Sequence, residues 1–418
     1  MLTTMSSILL EFNSSYYSTT VTGSTLSEGF SALGPDSQNA TATPYMLPAY
    51  IRNTSMVVCI LVMVLGVVGN LMVPLVVLRG KDMRNSTNIF LVNLSVADLC
   101  VLLVCAPTVL VEVNSRPEIW ALGEHMCKAV PFVELTVAHA SVLTILAISF
   151  ERYYAICEPL RAGYVCTKAR ATGLCFLAWA AAALCTSPIL WVSQYQKFDT
   201  MSSNETTETT TSTTAATSSS TTKFGASSTS LSHEESSVAI CLTPVTSNAQ
   251  IAFFLVLNIL FFVLPLLILL GLYSVIVRHL IQDSTTTSSN SCERYHVRAR
   301  RQVVLMLLTV VFSFFICLAP FRLLTVYVVL APSGWMTDLG PETYYNLLYF
   351  SRIMFYLNSA INPILYNLMS SRFRIGFLKL CGLRTARSLE RGTFRSTVTT
   401  SRLSRRAMRK EPHQENFV

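Results

Sequence analysis

The sequence predicts an all-α membrane protein: a bundle of seven transmembrane helices followed by a short amphipathic eighth helix. Three observations carry this. First, seven apolar stretches, at 55–78, 88–113, 128–154, 171–192, 249–277, 303–330 and 344–369, each reach the roughly 20 residues a helix needs to cross a bilayer. Second, 51% of the chain is hydrophobic and only 13% is charged, with a mean hydropathy of +0.48, which suits a polytopic membrane chain better than a soluble multidomain one. Third, the net charge of +8 is unevenly placed. Arg79, Lys81 and Arg84 lie in the first inner loop, Arg161, Lys168 and Arg170 in the second, and Arg278, Arg294, Arg298, Arg300 and Arg301 in the third. The segment between the sixth and seventh spans has Asp338 and Glu342 and no Lys or Arg. The positive-inside rule then puts the N-terminus outside and the C-terminus in the cytosol. Basic loops beside a membrane are explained by anionic lipid, so nucleic acid is not expected as a partner.

Residues 1–50 are rich in Ser and Thr and are expected to be a disordered, glycosylated extracellular segment. No cleavable leader is evident, because Ile8-Leu9-Leu10 is too short and no basic residue precedes it. The first span is expected to act as the insertion signal. Residues 51–370 form the seven-helix core. Within it, 193–240 reads as a disordered Ser/Thr-rich insert in the second outer loop, ordered only where it approaches Cys241. Asn13, Asn39, Asn53 and Asn204 open glycosylation sequons on the outer side. Asn85 and Asn93 match the same pattern but fall inside or within the bilayer, and are discounted. Of the twelve cysteines, only Cys127 and Cys241 lie at the outer surface. A bond between them would tie the second outer loop to the top of the third helix; the alternative is two free thiols.

Polar groups inside the spans are the informative exceptions, since a charge at bilayer depth costs about 2.5–3.5 kcal/mol on insertion scales. Glu151-Arg152-Tyr153 closes the third span and Asn362-Pro363-Ile364-Leu365-Tyr366 closes the seventh. A lone Arg152 would read as a lipid-headgroup anchor. Next to Glu151, and followed by Pro159-Leu160, it reads also as an arginine held at rest and released to a partner. Asp98 lies mid-span and needs a partner or a proton. Pro188, Pro265, Pro320 and Pro363 lie inside spans, where each removes a helical hydrogen bond and makes a kink.

These elements resemble the rhodopsin-like (class A) G-protein-coupled receptors. The resemblance implies a G-protein switch of Glu151, Arg152, Tyr153, Leu160, Tyr273, Pro363 and Tyr366, in which Tyr273 and Tyr366 meet near Arg152 in the active state. It implies a connector of Val142, Pro265 and Phe314. It also implies a sodium site at Asp98 with Asn70, Ser141, Asn358, Ser359 and Asn362, sodium being an allosteric modulator and no other cofactor or metal being expected. Hard oxygen donors with one negative charge suit a small monovalent cation; a neutral hydrogen-bonded carboxylic acid is the other reading. One departure stands out. The family's sixth helix carries Cys-Trp-x-Pro, whereas this chain reads Cys317-Leu318-Ala319-Pro320, so coupling is expected to run through Phe314 and Phe321.

The outer half of the bundle should hold a ligand site of Glu134, His139, Phe321, Arg322 and Arg352 facing a wet cavity; an internal salt bridge between Glu134 and an arginine is the alternative. Glu134 stands where aminergic receptors have Asp, and Tyr356 where opsins have the retinal lysine. Arg322 and Arg352 resemble the paired arginines of thyrotropin-releasing hormone receptors, in which an amidated terminus is read. The runs 82–91, 130–141 and 151–160 look like the insect ecdysis triggering hormone receptors, over roughly 50–380. That likeness implies an amidated peptide ending in Pro-Arg-x-amide, Gq and calcium signalling, and a role in moulting. Residues 371–381 carry Phe373, Phe377 and Leu378 between basic residues and read as an amphipathic helix on the inner membrane surface, with Cys381 a palmitoylation site or a free thiol. Residues 382–418 read as a disordered basic tail whose Ser396–Ser401 stretch would be phosphorylated by a receptor kinase and bound by arrestin. A secondary transporter would need broken helices and repeat symmetry, and neither is clear. No nucleophile–base motif or metal cluster suggests an enzyme.

Overall fold

In the computed structural model, residues 47–80, 83, 85–116, 119–199, 237–286, 291–331 and 339–382 are described. The sequons at Asn13, Asn39 and Asn204 and the tail beyond 382 lie outside them. Seven long helices build the core: α1 Ala49–Arg79, α2 Ser86–Asn114, α3 Gly123–Cys157, α4 Lys168–Val192, α5 Asn248–Thr286, α6 Ser291–Leu330 and α7 Pro341–Met369. A short helix, Pro159–Val165, bridges α3 and α4. An eighth helix, α8 Ser371–Leu380, follows α7. The helices outrun the apolar stretches that announce them, most clearly α6, because backbone hydrogen bonding continues into the headgroup region and beyond.

Burial shows how the bundle is arranged. The apolar core of α3 is 72% buried, against 28% for α1 and α4 and 33% for α5. Hence α3 is the central post. The outward faces of the others present Leu61, Leu65, Phe176, Leu184, Leu267 and Phe312, apolar surface far beyond what a soluble monomer exposes. Six described helices are long and apolar enough to cross a membrane. The seventh, α7, has the length at 29 residues but carries Ser351, Arg352, Asn358, Ser359 and Asn362, all turned into the bundle and buried.

Prolines lie inside the spans at more places than the four singled out, Pro74 being within α1 and Pro131 within α3. A π-helical turn, Ile259–Val263, immediately precedes Pro265 in α5. A second, Val101–Cys105, precedes Pro107 in α2; the missing proline N–H there is absorbed by widening the turn before it. Pro188 marks the break between the two halves of α4, while Pro320 and Pro363 stay within α6 and α7. Helices α1 and α7 approach so closely at Gly69 that a side-chain carbon there would lie 2.9 Å from Pro363. A polar capping contact starts α8: the Ser370 hydroxyl accepts the Phe373 N–H at 3.4 Å. Phe373 is buried and its ring packs 5.9 Å from Tyr366. Cys381, at the end of α8, is a free and exposed thiol.

The second loop at the opposite end corrects the expected extent of disorder. Gln194–Asp199 forms β1, which pairs antiparallel with β2, Ser237–Leu242, in the register Tyr195↔Cys241 and Lys197↔Ala239. The segment at 194–199 is therefore ordered, because Cys241 is bonded to Cys127 and supplies a fixed strand for Tyr195 and Phe198 to pair with. Residues 200–236 lie outside the described part. The Trp120 N–H donates to the Ala239 carbonyl at 2.7 Å, fastening the hairpin to the approach to α3.

The disulfide closes a separation of 114 residues, so removing it should destabilise the fold by about 2–4 kcal/mol. Cys127→Ser and Cys241→Ser should each lower the melting temperature of the detergent-purified protein, and the double variant should be no worse than either single. Additive losses would mean that the two thiols act separately.

Candidate functional site

Three polar clusters run down the inside of the bundle. At the α8 end, Arg152 lies 3.3 Å from Glu151. Both are gripped by the start of α2: Ser86 and Thr87 donate to the Glu151 carboxylate, Thr87 at 3.1 Å, and the Arg152 guanidinium donates to the Thr87 hydroxyl. These two hydroxyls were not legible in advance as partners. The arginine is thus held, not free. Tyr153 instead reaches Glu158 at 3.3 Å, and Glu158 in turn pairs with Arg161 at 2.9 Å. Leu160 projects from the short helix with 94% of its surface exposed. Tyr273 shares a hydrogen bond of 3.2 Å with Ser149 of α3. The Tyr366 hydroxyl is buried with no hydrogen-bond partner. Beside this cluster, the Cys166 thiol donates to the Glu151 carbonyl at 3.7 Å, and burial pushes its pKa up.

At mid-depth, Asn362 donates to the Asp98 carboxylate at 3.0 Å. Asn70 spans α1 and α7, donating to the carbonyls of Gly66 at 2.9 Å and Ser359 at 2.8 Å. Ser141, Asn358 and Ser359 are also buried. The amide oxygens of Asn70 and Asn358 are buried without a hydrogen bond. A carboxylate and unpaired amide oxygens are donors of the kind a small monovalent cation takes. Val142, Phe314 and Tyr273 belong to the one continuous apolar core that runs through the bundle, and Pro265 is buried on α5. The two sequons set aside earlier have structural employment. Asn85 caps α2 by accepting the Asn88 N–H at 2.9 Å. Asn93 donates to Thr144 at 2.9 Å and accepts from Trp179 at 3.0 Å, joining α2, α3 and α4.

At the hairpin end, Glu134, Arg352 and Tyr356 are buried and joined in one network. Arg352 has no exposed side-chain surface and pairs with Glu112 at 2.5 Å. Glu112, near the end of α2, was not foreseen; the only signal was one acid among the valines of Val111-Glu112-Val113. Nor is there an internal salt bridge from Glu134 to an arginine among the described residues. Glu134 instead accepts from the Tyr356 hydroxyl at 3.2 Å, and Arg352 lies 3.5 Å from that same hydroxyl. The reason is positional: Glu112 reaches Arg352 first and Tyr356 fills the space between Arg352 and Glu134.

Arg322 and His139 form a separate corner. Arg322 is 4% exposed, its Nε has no hydrogen bond, and it makes no ion pair among the described residues. His139 stacks on Phe261 with ring centres 4.0 Å apart. Its Nδ1 lies 2.9 Å from the Thr186 hydroxyl. That hydroxyl spends its one hydrogen on the Ala182 carbonyl at 2.7 Å, so Nδ1 must be the donor. Nε2 is then left as a bare acceptor, buried and unpaired. The Asn258 amide oxygen, three residues before Phe261, is also buried and unpaired. Phe321 packs against Phe355 of α7 at 5.3 Å, and Leu318 is buried.

The comparisons agree with this architecture. Residues 69–366 match the family described as "7 transmembrane receptor (rhodopsin family)". The growth hormone secretagogue receptor type 1 of Mus musculus is 32% identical over 354 residues, covering 84% of this chain and 87% of that receptor. The thyrotropin-releasing hormone receptor of Homo sapiens is 31% identical over 344 residues, covering 77% of this chain and 76% of that receptor. The chain belongs to the rhodopsin family of seven-transmembrane receptors.

A buried ion pair that loses one partner leaves an uncompensated charge, at a cost of about 3–5 kcal/mol. Glu112→Gln and Arg352→Gln should each lower the yield and thermal stability of purified protein sharply, while the double variant recovers much of the loss. A double variant as unstable as the sum of the singles would show that the two side chains are not coupled.

Proposed function

We propose that this rhodopsin-family receptor is a plasma-membrane receptor for a secreted amidated peptide hormone. The observation that carries the reading is the division of charge at the hairpin end. Arg352 has its direct counter-ion in Glu112, whereas buried Glu134 is bonded only to the Tyr356 hydroxyl that it shares with Arg352, and buried Arg322 has no acid among the described residues. An unpaired carboxylate and an unpaired guanidinium in one bundle suit a ligand with both a cationic group and a strongly polarised carbonyl. A peptide ending in an arginine-containing amidated segment has both. Glu134 takes its cation, while Arg322 with His139 takes its acyl oxygen and amide N–H.

The relatives named as receptors for growth hormone secretagogues and thyrotropin-releasing hormone support a peptide ligand. Within that class, the likeness of 82–91, 130–141 and 151–160 to ecdysis triggering hormone receptors makes that hormone our first choice. A thyrotropin-releasing-hormone-like or other Pro-Arg-x-amide peptide is the second, favoured by the position of Arg352. The hairpin end faces the outside and α8 the cytosol. Agonist binds better to the state whose cytosolic face is open, and so does the G protein, Gq, so each shifts the population toward the other. In the closed form Glu151 and Thr87 hold Arg152, and Ser86 donates to Glu151. Release of Arg152, with Tyr273 and Tyr366 moving to it, opens a surface on which exposed Leu160 meets the G protein. A receptor kinase and arrestin then act on the tail. Agonist-driven nucleotide exchange on added G protein tests the class and excludes a transporter; a calcium screen of amidated peptides tests the ligand.

Two outcomes follow from this assignment. Glu134→Gln should weaken an arginine-containing agonist by about 1.5–3 kcal/mol, roughly 10- to 150-fold in affinity, and should weaken its citrulline analogue much less. Equal losses for both peptides at matched surface expression would remove the direct contact. For the mid-depth site, raising sodium should lower agonist affinity in the parent, and Asp98→Asn should abolish that dependence. Unchanged sodium sensitivity in the variant would mean that Asp98 does not hold the ion.

A further inference from the structure

A cavity of about 410 Å³ opens sideways between α5 and α6 and touches the polar clusters only at Tyr273. Its α5 wall is Leu266, Leu269, Leu270, Tyr273, Ser274, Val277 and Arg278, and its α6 wall is Leu308 and Val311. The α5 residues recur at intervals of three and four, so they form a single stripe along the helix. Leu270, Val277 and Leu308 are exposed, on the face of the bundle that lies against lipid. From Leu266 to Arg278 the stripe rises about 18 Å at 1.5 Å per residue, close to half of a hydrocarbon core about 30 Å thick. The groove is thus about one leaflet deep. It is mostly apolar, with Tyr273 and Ser274 midway, and ends on an exposed arginine.

We infer that this groove binds an anionic phospholipid, with an acyl chain along the leucines and the headgroup phosphate on Arg278. Length, polarity and charge each select that occupant. An acyl chain fills a slot one leaflet deep, and the bilayer supplies it at the groove's open side. Arg278 is at headgroup level, in the leaflet that the proposed orientation makes cytosolic and anionic. An apolar helix or a neutral peptide would leave the arginine without a counter-ion.

Occupancy also bears on the receptor's state. Tyr273 lines the groove and is hydrogen-bonded to Ser149 in the arrangement where Arg152 is held by Glu151. A chain lodged between α5 and α6 fits that arrangement. A ligand that binds one state better shifts the population toward it, so the lipid favours the closed form. This coupling rests on the G-protein reading above; the lipid site itself does not.

The test separates the two. The full-length receptor is extracted from membranes containing phosphatidylcholine and phosphatidylserine, and the retained lipids are measured by mass spectrometry. The parent should retain phosphatidylserine in preference to phosphatidylcholine. Arg278→Gln should lower that preference about fivefold, the worth of one basic residue at an anionic surface. Leu308→Trp, which fills the slot, should release the bound lipid. Arg79→Gln, a basic residue at the same membrane edge but outside the groove, should change nothing. No preference in the parent, or equal losses for Arg278→Gln and Arg79→Gln, overturns the site. In nanodiscs, phosphatidylserine should then slow agonist-free nucleotide exchange in the parent and not in Arg278→Gln. Retention of the lipid with no effect on exchange overturns the coupling to Tyr273 and leaves the site.

Discussion

Water's absence from the bilayer core is the constraint on which this structure depends. Every polar group carried into the hydrocarbon must find its partner within the bundle. The chain meets this by turning its polar residues toward a common interior and its apolar ones outward. Helix α7 takes the arrangement furthest. It carries Arg352, Asn358, Ser359 and Asn362 on one side and presents Phe350, Ile364 and Leu368 on the other. Its polar face meets Glu112 of α2, Asp98 of α2 and Asn70 of α1. These contacts fix α7 against its neighbours more specifically than apolar packing alone would, because a shifted register would leave a charge unpaired.

The same constraint distinguishes scaffold from function. Arg352 is fully buried and paired with Glu112, as a structural arginine should be. Arg152 is partly buried and shared among Glu151 and Thr87, a set of contacts that a competing partner can exchange one by one. Arg322 is buried and without an acid among the described residues. Leaving a guanidinium in that condition costs free energy, and the neighbouring bare nitrogen of His139 adds to it. Unpaired groups concentrated in one corner are expected where a ligand completes the network, not where the fold is merely held together.

Much of this was legible in the sequence, for a physical reason. A span must be about 20 residues of apolar sequence, and that signal survives without any knowledge of packing. Thus the seven helices, the α8 stripe of Phe373 and Phe377, and the Glu151–Arg152 pairing were all readable. What could not be read depended on distance through space. Glu112 is one acid in a run of valines, and nothing local says that Arg352, 240 positions away, will meet it. Ser86 and Thr87 look like ordinary helix-start residues until α3 is laid beside them. Strand β1 was hidden for a different reason: its propensity is modest, and order comes from a partner strand pinned by Cys127. The π-helical turn before Pro107 shows the limit of proline as a signal, since the kink was expected only at the four prolines already singled out.

Leu318 poses the remaining question of how an outer ligand moves the inner face. An aromatic ring at that position would give α6 a bulky lever; a buried leucine does not. The structure offers a different linkage. Arg322 and Phe321 sit on successive positions of α6, one facing the unpaired polar corner and the other packed on Phe355 of α7. Because Phe355 packs edge-on against Tyr356 at 5.7 Å, and Tyr356 donates to Glu134, the two halves of the outer network meet through this aromatic row. Under the proposed ligand contacts, Arg322 and Glu134 would be engaged by one ligand and are joined through this row. Two turns toward α8, Phe314 and Phe315 lie in the core beside Phe262 of α5. Below them, Tyr273 faces the groove between the same two helices. Packed interiors yield by changing between discrete arrangements, not by bending smoothly. In the proposed mechanism, coupling therefore belongs to the seating of α6 as a whole between α5 and α7, and not to the rotation of one side chain.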